Sequence, residues 1–436
     1  MSRVLLAAAL LVATARGAAR AEEPMAVSLR DAVESAVGTR LDAIIAGAKT
    51  AQARAKEMQT AANLLPQLTA TLAEMRTFRV SLAAEGLSFP GFPTLLGPYD
   101  TFDARVRLTQ KLFDWGAVRR AQSDEAAARA AVYEEKAARE QVATAAALSY
   151  LEAVRAGHAV AAVTADKELA DRLLALARDR KTQGAATGVD VVRAQARAAD
   201  ASAALLRAQV GRREALLLLK RVAGWPLERE LRLTDDFTAA SSTAPGVAES
   251  LQDAESGRPE IAAAEERARS EDLAARAARG DRAPSVMFAA DYAQSGVLPT
   301  NSVNVGDMGG FLTLPLFTGG QLSGRIAEAD ARKSEAMAAL SDTQQQVELD
   351  VRTALERLSE SAAEEDASEQ SLTLAQRELE MSRDRYAQGA GDSVELVEAQ
   401  AELARARNAQ VSALARYHSS RVNYAAAVGR ALEFKL

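Results

Sequence analysis

The residue types that most often carry catalysis are scarce in this sequence. Cysteine is absent, and the two histidines, His158 and His418, lie far apart in segments with a helical pattern. The sequence shows no phosphate-binding loop, nucleophile elbow or H-E-x-x-H pattern. A packed or interfacial role is therefore favoured for both histidines. We predict neither catalytic activity nor a bound metal or other cofactor.

The composition indicates long helices. Of the 436 residues only 4% are aromatic and 26% are charged, and glycine and proline are sparse over long stretches. This composition is typical of long helical segments. The formal net charge is −6, and an acidic chain is a poor general binder of nucleic acid. We therefore expect no nucleic-acid partner.

The first residues have the pattern of a secretory signal peptide. Arg3 precedes an apolar run over residues 4–13, and Ala19-Arg20-Ala21 has the A-x-A form of a cleavage site. The run is shorter than the roughly 20 residues that a membrane-spanning helix needs. We expect residues 1–21 to be removed and the mature chain to be exported without a helical anchor.

An internal repeat is the most informative feature. The segments 178–180 and 183–185 recur without gaps at 383–385 and 388–390. Similar matches join Leu108 to Leu312, so the chain is interpreted as a tandem duplication. Each half reads as helix, hairpin, very long helix, reversal and helix. The predicted repeats are 22–245, with its hairpin at about 64–115 and its reversal at about 183–188, and 246–436, with its hairpin at about 283–318 and its reversal at about 388–393.

Both halves contain a long segment with few breakers. Between Ala117 and Gln183 the only breaker is Gly157, and residues 325–388 contain neither glycine nor proline. A helix of about 65 residues is roughly 100 Å long. After each reversal, apolar residues recur at alternating spacings of three and four, over 189–210 and 394–425. This spacing is typical of a coiled-coil seam.

The hairpin segments have a period of two. Apolar residues alternate with others at Phe102, Ala104, Val106 and Leu108, and again at Val286, Phe288, Ala290 and Tyr292. An ordinary antiparallel sheet packed on the helices is one interpretation. We favour a lipid-facing barrel with its polar strand faces lining a pore, because the strands are unusually long. Four strands cannot close a barrel and open edges cannot face lipid, so several copies would have to share it.

The sequence resembles the outer-membrane efflux proteins of the TolC type over essentially the whole mature chain. The most specific segments are Leu108-Thr-Gln-Lys-Leu-Phe-Asp-Trp-Gly116 and Leu312-Thr-Leu-Pro-Leu-Phe-Thr-Gly-Gly320, together with the paired reversals. The resemblance implies a mostly α fold with a membrane β-barrel. It implies a trimer whose twelve-stranded barrel takes four strands from each chain and continues into a periplasmic α-helical coiled-coil tunnel. A belt of short elements near mid-tunnel would be formed by residues 225–245 and the chain ends.

The resemblance also implies a periplasmic gate near the second reversal, held by polar links between a tyrosine, an arginine and aspartates. Carried over position by position, the tyrosine is Tyr386, the first-half aspartate is Asp190, and the entrance acids are Glu395 and Glu398. The family's arginine position is Gly391 here. One link is therefore missing, or is replaced by a neighbouring arginine, Arg383 or Arg385.

Glu395 and Glu398 are three residues apart and so share one helix face. In a trimer that face would supply six carboxylates around a narrow axis. Such a ring would favour cations and raise some carboxylate pKa values by mutual repulsion. The alternative is an ordinary pair of solvated surface acids.

Two further groups of residues are assigned by the resemblance. Contact with a periplasmic adaptor is expected at the tips of both reversals, where glycine suits a tight turn between helices. The tip residues are Gln183, Gly184, Ala185, Gln388, Gly389 and Ala390. Phe113 and Trp115 either pack where the barrel meets the helices or anchor the chain at the membrane interface.

Two functions are consistent with these features. The first is an exit duct of the cell outer membrane that extends into the periplasm and belongs to a tripartite efflux or type I secretion system. This homotrimeric, passive conduit would contact outer-membrane lipid and work with a periplasmic adaptor, or membrane fusion protein, and an inner-membrane pump of the RND or ABC type. The second is a soluble periplasmic coiled-coil scaffold.

Overall fold

The computed structural model describes residues 24–81, 86, 95–238, 245–388 and 390–436, so the predicted signal peptide, 1–21, lies outside the described residues. The first half contains β1 (Met25–Val27), α1 (Leu29–Thr39), α2 (Leu41–Ala62), β2 (Gln67–Thr77), β3 (Val80–Ser81), β4 (Leu95–Leu96), β5 (Tyr99–Phe113), α3 (Trp115–Thr182), α4 (Gly188–Ala223) and β6 (Leu231–Leu233). The second half contains α5 (Val247–Gly257), α6 (Pro259–Gly280), β7 (Ser285–Gly296), a 3₁₀ turn (Pro299–Asn301), β8 (Ser302–Thr313), α7 (Gln321–Ala387), α8 (Ser393–Ala427) and a second 3₁₀ turn (Ala431–Glu433).

The two longest helices are α3, with 68 residues, and α7, with 67. At 1.5 Å per residue each is roughly 100 Å long. Alanine is the best helix former, and ion pairs one turn apart, such as Arg129 with Glu125 at 2.6 Å, stabilise the helices further. The helix α3 continues through Gly157, because one interior glycine costs only about 1 kcal/mol.

Both reversals are defined by turn and cap residues. Gly184 has a φ of +72° after the end of α3, a conformation that favours glycine. Thr187 and Asp190 then form a capping box at the start of α4. Asp392 caps α8 by accepting a hydrogen bond from the Val394 backbone N–H at 3.3 Å.

The four long strands form one antiparallel sheet in the order β2-β5-β7-β8. One face is apolar and open: Leu68, Leu72 and Met308 are 72%, 73% and 81% exposed. The other face carries charged side chains, and Arg105 pairs there with Asp103 at 3.0 Å and with Asp291. Within the described residues the outer edges of β2 and β8 have no long strand beside them. The sheet of a single chain is therefore open.

The helices below the sheet pack in a fixed order. The helix α3 packs against α2 and α6, α6 packs against α7, and the pairs α3–α4 and α7–α8 run down to the reversals. We call the layer α2-α3-α6-α7 the helix wall.

The predicted seams are wrong in register in α4 and in the lower half of α8, whereas Ala415, His418 and Val422 of the predicted α8 seam are buried. In α4 the buried apolar positions include Val191 and Ala198, whereas Val189, Val192 and Leu206 of the predicted seam are 58%, 62% and 65% exposed. In the lower half of α8 the buried stripe is Leu396, Ala399, Leu403 and Ala406. Because alanines occupy every face of these helices, the sequence pattern alone does not select one stripe.

A compact core joins the chain ends to the middle of α3. The strand β1 pairs in parallel with β6, and the fully buried Tyr150 lies beside them. The Tyr150 hydroxyl donates to the Val27 carbonyl at 3.0 Å and accepts from the Asp235 N–H at 3.2 Å. Burial raises the pKa of Tyr150 to about 12, so the phenol is neutral at physiological pH.

Replacing Tyr150 with phenylalanine should destabilise this core by about 1–2 kcal/mol, because the Asp235 N–H loses its acceptor and the Val27 carbonyl loses one of its donors. Urea unfolding followed by circular dichroism measures the loss. Tyr133→Phe, also in α3, is the matched control, since its ring lies under Lys136 at 5.1 Å and its hydroxyl is not used in the core. Equal stability of the two variants would contradict the role assigned to the Tyr150 hydroxyl.

In the part of the chain that the structure describes, no helix combines the length and apolar character needed to cross a bilayer.

Candidate functional site

Asp190 lies where the two reversals approach each other. Its carboxylate accepts a hydrogen bond from the Ser393 hydroxyl at 2.5 Å and from the Thr187 backbone N–H at 2.8 Å. Arg193 lies 3.9 Å from the same carboxylate. These contacts, first of all the Ser393 hydrogen bond, lower the pKa of Asp190 below its ordinary value. The contact between Asp190 and Ser393 joins the start of α4 to the start of α8.

Tyr386 makes a second contact between the two helix pairs. The ring is 5% exposed and packs in the cluster formed by Leu379, Leu396 and their neighbours. The Arg180 guanidinium, from the end of α3, lies 4.3 Å from the ring centroid. Tyr386 therefore contacts the first helix pair through its ring face. The predicted polar link between Tyr386 and Asp190 is not formed within the described residues, where Asp190 hydrogen-bonds to Ser393 and Thr187.

Glu395 and Glu398 have different surroundings. Arg385 lies 3.2 Å from the Glu395 carboxylate, and the Ser382 hydroxyl donates to it at 3.4 Å. Glu398 is exposed, and no ion pair to it is formed within the described residues. Of the two arginines proposed to replace the missing family arginine, Arg385 is the one paired with an entrance acid.

The backbone around Gly391 leaves a tight space for a side chain. A Cβ atom at this position would lie 3.1 Å from both the Arg385 Cβ and the Tyr386 backbone nitrogen. The Gly391 N–H also donates to the Arg385 carbonyl at 3.1 Å. A side chain at 391 would push against the turn that holds Tyr386.

The proposed adaptor-contact tips lie at the ends of the helix pairs. Gln183, Gly184 and Ala185 are exposed, as are Gln388 and Ala390. Gly389 lies outside the described residues. The Ala185 N–H donates to the Arg180 carbonyl at 2.8 Å, so the first tip turn is attached to the residue that covers Tyr386.

Phe113 and Trp115 lie at the junction of sheet and helix wall, at the end of β5 and the start of α3. They are 49% and 41% exposed. The Trp115 side chain borders Gly280 of α6, where a Cβ would lie 2.9 Å from the indole. The Arg119 guanidinium covers the Trp115 ring at 4.5 Å. Trp115 therefore packs at the junction and still presents surface outward.

The two histidines meet through a residue of the connector. Phe237 is stacked between His158 and His418, and its ring centroid lies 5.3 Å from that of His158 and 5.0 Å from that of His418. His158 bonds Asp236 at 2.5 Å and His418 bonds the Thr238 carbonyl at 3.0 Å. Burial lowers the pKa of His418. Both histidines therefore pack the connector against α3 and α8.

Sequence reasoning missed Ser393 and Arg180. Their partners lie far away in the sequence. The repeat could have drawn attention to Arg180, because it aligns with Arg385, which also binds at a tip.

Long strands with one apolar face, carried on helices of roughly 100 Å, are features of an outer-membrane channel with a helical tunnel and a barrel. The chain belongs to the outer membrane efflux protein family, which its sequence matches over residues 35–225 and 250–430. It is a channel protein of the outer membrane and not an enzyme. Membership confirms the predicted family, fold class and location, and of the two functions considered it favours the channel over the scaffold.

Several solved structures share the fold. VceC from Vibrio cholerae has a TM-score of 0.81 and 23% identity, over 92% of this chain and 96% of that one. CmeC from Campylobacter jejuni has a TM-score of 0.80 and 19% identity, over 92% of this chain and 86% of that one. The open state of MtrE from Neisseria gonorrhoeae has a TM-score of 0.77 and 20% identity, over 93% of this chain and 89% of that one. No curated protein matches the sequence.

Proposed function

We propose that three copies of this chain form a passive exit duct for substrates of an efflux or type I secretion system. The open sheet carries this proposal. Its two outer strands, β2 and β8, are 11 and 12 residues long, and unpaired backbone groups cannot face lipid. Pairing β8 of one copy with β2 of the next closes a barrel, and three copies supply twelve strands.

Exposed apolar residues below the sheet support the same assembly. On α4, Val189, Val192 and Leu206 are exposed, and on α7 Leu374 and Met381, seven residues apart, are 63% and 62% exposed. Residues seven apart lie on one helix face. Apolar stripes of this kind mark protein contacts, and the neighbouring copies are the partners that the open sheet requires.

The tips form the periplasmic entrance in this proposal. The α7–α8 pairs converge on the axis, and Asp190–Ser393 and Arg180–Tyr386 hold each of them to its α3–α4 pair. Opening moves α7 and α8 outward and breaks these contacts. Since Arg385 compensates Glu395, the uncompensated carboxylate at the entrance is Glu398, which favours cations.

The proposed partners are a periplasmic adaptor, bound at the tips 183–185 and 388–390, and an inner-membrane pump of the RND or ABC type. The pump supplies the energy for transport, because the sequence contains no phosphate-binding loop.

The mass of the purified protein in detergent tests the assembly. Light scattering corrected for detergent should give about three times the mass of the mature chain, and the oligomer should stay with the outer membrane through a high-salt wash. A monomer that washes off would contradict the proposal.

The cysteine-free sequence allows a single cysteine at Gln183 to carry a cross-linker to the adaptor, and Gln345→Cys, exposed in mid-α7, is its control.

A further inference from the structure

Two cavities lie on opposite faces of the helix wall. The larger, of about 830 Å³, is lined by all four helices, including Lys49 of α2 and Ala336 of α7. The wall runs in the order α2-α3-α6-α7, so its two outermost helices can share a cavity only if the wall curves around it. This face is concave and lines the tunnel.

The second cavity, of about 430 Å³, is lined by α3 and α6 alone. We call it the arginine groove, after Arg119, Arg129, Arg269 and Arg276. Arg129 lies two residues before Ala131, which lines the larger cavity, and two residues on a helix are about 200° apart. The arginine groove therefore opens on the convex face, away from the tunnel.

Most of the groove's arginines are compensated by acids. Arg129 pairs with Glu125 at 2.6 Å and Glu266 at 3.0 Å, and Arg276 pairs with Asp272 at 2.7 Å. Arg269 lies 3.8 Å from Glu266. Arg129, Arg269 and Arg276 therefore have acidic partners within the protein.

Arg119 differs from the other three. Its guanidinium donates to the Gln122 amide oxygen at 2.8 Å, and no acid within the described residues pairs with it. Its Nε is buried without a hydrogen-bond partner. The guanidinium also lies against the Trp115 ring, 4.5 Å from its centroid, and a guanidinium with unused donors suits bidentate recognition of an anion.

The depth of Arg119 fits a lipid headgroup. It lies four residues after Trp115, and Arg276 lies four residues before Gly280, which borders Trp115. Both cations are thus about 6 Å below the junction. Tryptophan favours the membrane interface, and the polar layer of one leaflet is about 5–8 Å thick.

We propose that the upper end of the arginine groove binds the phosphodiester of a phospholipid in the periplasmic leaflet of the outer membrane. Arg119 is the principal ligand and Arg276 the second. The acyl chains extend upward past Trp115 along the apolar face of the sheet. The site lies within one chain and does not depend on the proposed gate, and its exposure to lipid rests on the proposed barrel and tunnel.

Native mass spectrometry of the purified protein with added dioleoylphosphatidylglycerol tests this site. Arg119→Gln should lower the affinity for the first lipid about tenfold, the loss expected for a charge-assisted hydrogen bond. Arg325→Gln is the matched control: Arg325 is the fifth residue of α7, as Arg119 is of α3, and it lies outside the groove. This control should keep the affinity of the unmodified protein.

Three outcomes would overturn the proposal. Dioleoylglycerol, which lacks the phosphate, would bind as well as phosphatidylglycerol if only the acyl chains were recognised. Arg119→Gln and Arg325→Gln would lose affinity equally if only the net charge mattered. Displacement of the lipid by millimolar inorganic phosphate would make free phosphate the occupant. Thermal unfolding of each variant, read by circular dichroism, checks that Arg119→Gln is folded.

Discussion

A channel with the double change Ser393→Ala and Arg180→Gln should conduct several times more current in planar bilayers than the unmodified channel. Ser393→Ala removes the hydroxyl that donates to Asp190 at 2.5 Å, and Arg180→Gln removes the cation over the Tyr386 ring. A hydrogen bond to a charged group and a cation–π contact together contribute about 2 kcal/mol. Losing both shifts the ratio of closed to open entrances about thirtyfold in each chain.

The choice of side chains separates the gate from helix stability. Asp190 also caps α4 through Thr187, so replacing Asp190 itself would alter the helix start, whereas Ser393→Ala leaves the capping box intact. Ser412→Ala is the control, because this α8 hydroxyl donates only to its own helix, at the Asn408 carbonyl. Tyr386→Phe should change conductance little, since the ring face makes the contact. Unchanged conductance in the double variant would contradict the gate assignment.

The gate contact also predicts a pH dependence. Its hydrogen bonds lower the pKa of Asp190 below the ordinary value of 3.8. Because the pKa is lowered, the contact is fully present above pH 3.8 and is lost as the pH falls through the folded-state pKa. Conductance should therefore be insensitive to Asp190 between pH 5 and 8 and rise only as the pH falls below 3.8, where Ser393→Ala should show a smaller rise.

Local sequence signals predicted the parts of the fold that depend on local chemistry. The long helices follow from the scarcity of breakers, and β5 and β7 follow from the alternation around Val106 and Ala290. The seam registers of α4 and of the lower half of α8 did not follow. In α4, for example, Val191 and Val192 are equally apolar and only the packing partner distinguishes them. One of them is buried and the other is 62% exposed.

The candidate site was predictable only where the family resemblance reached. Asp190, Tyr386 and Glu395 were assigned by position, but their contacting residues Ser393 and Arg180 were not. Contacts between residues about 200 positions apart are set by how the two halves pack. The stack of His158, Phe237 and His418 is a similar case, since each residue lies on a different element.

Replacing Met308 with arginine should prevent stable insertion of the protein in the outer membrane. Met308 is 81% exposed near the middle of β8, on the apolar face with Ala290 and Leu108. An arginine facing lipid near the bilayer midplane costs roughly 2–4 kcal/mol. Three copies multiply this cost, so the variant should be lost from the washed outer-membrane fraction and degraded.

The matched control is Val305→Arg, three residues away on the same strand. Val305 lies opposite Ala293, on the face that carries Arg105 and Asp291. If that face lines the pore, the new arginine is hydrated, the protein inserts normally, and its preference for cations falls. Because strand residues three apart point to opposite faces, equal loss of both variants would contradict the assignment of the apolar face to lipid. A reversed result would place lipid on the charged face, and the proposed barrel would have to be abandoned.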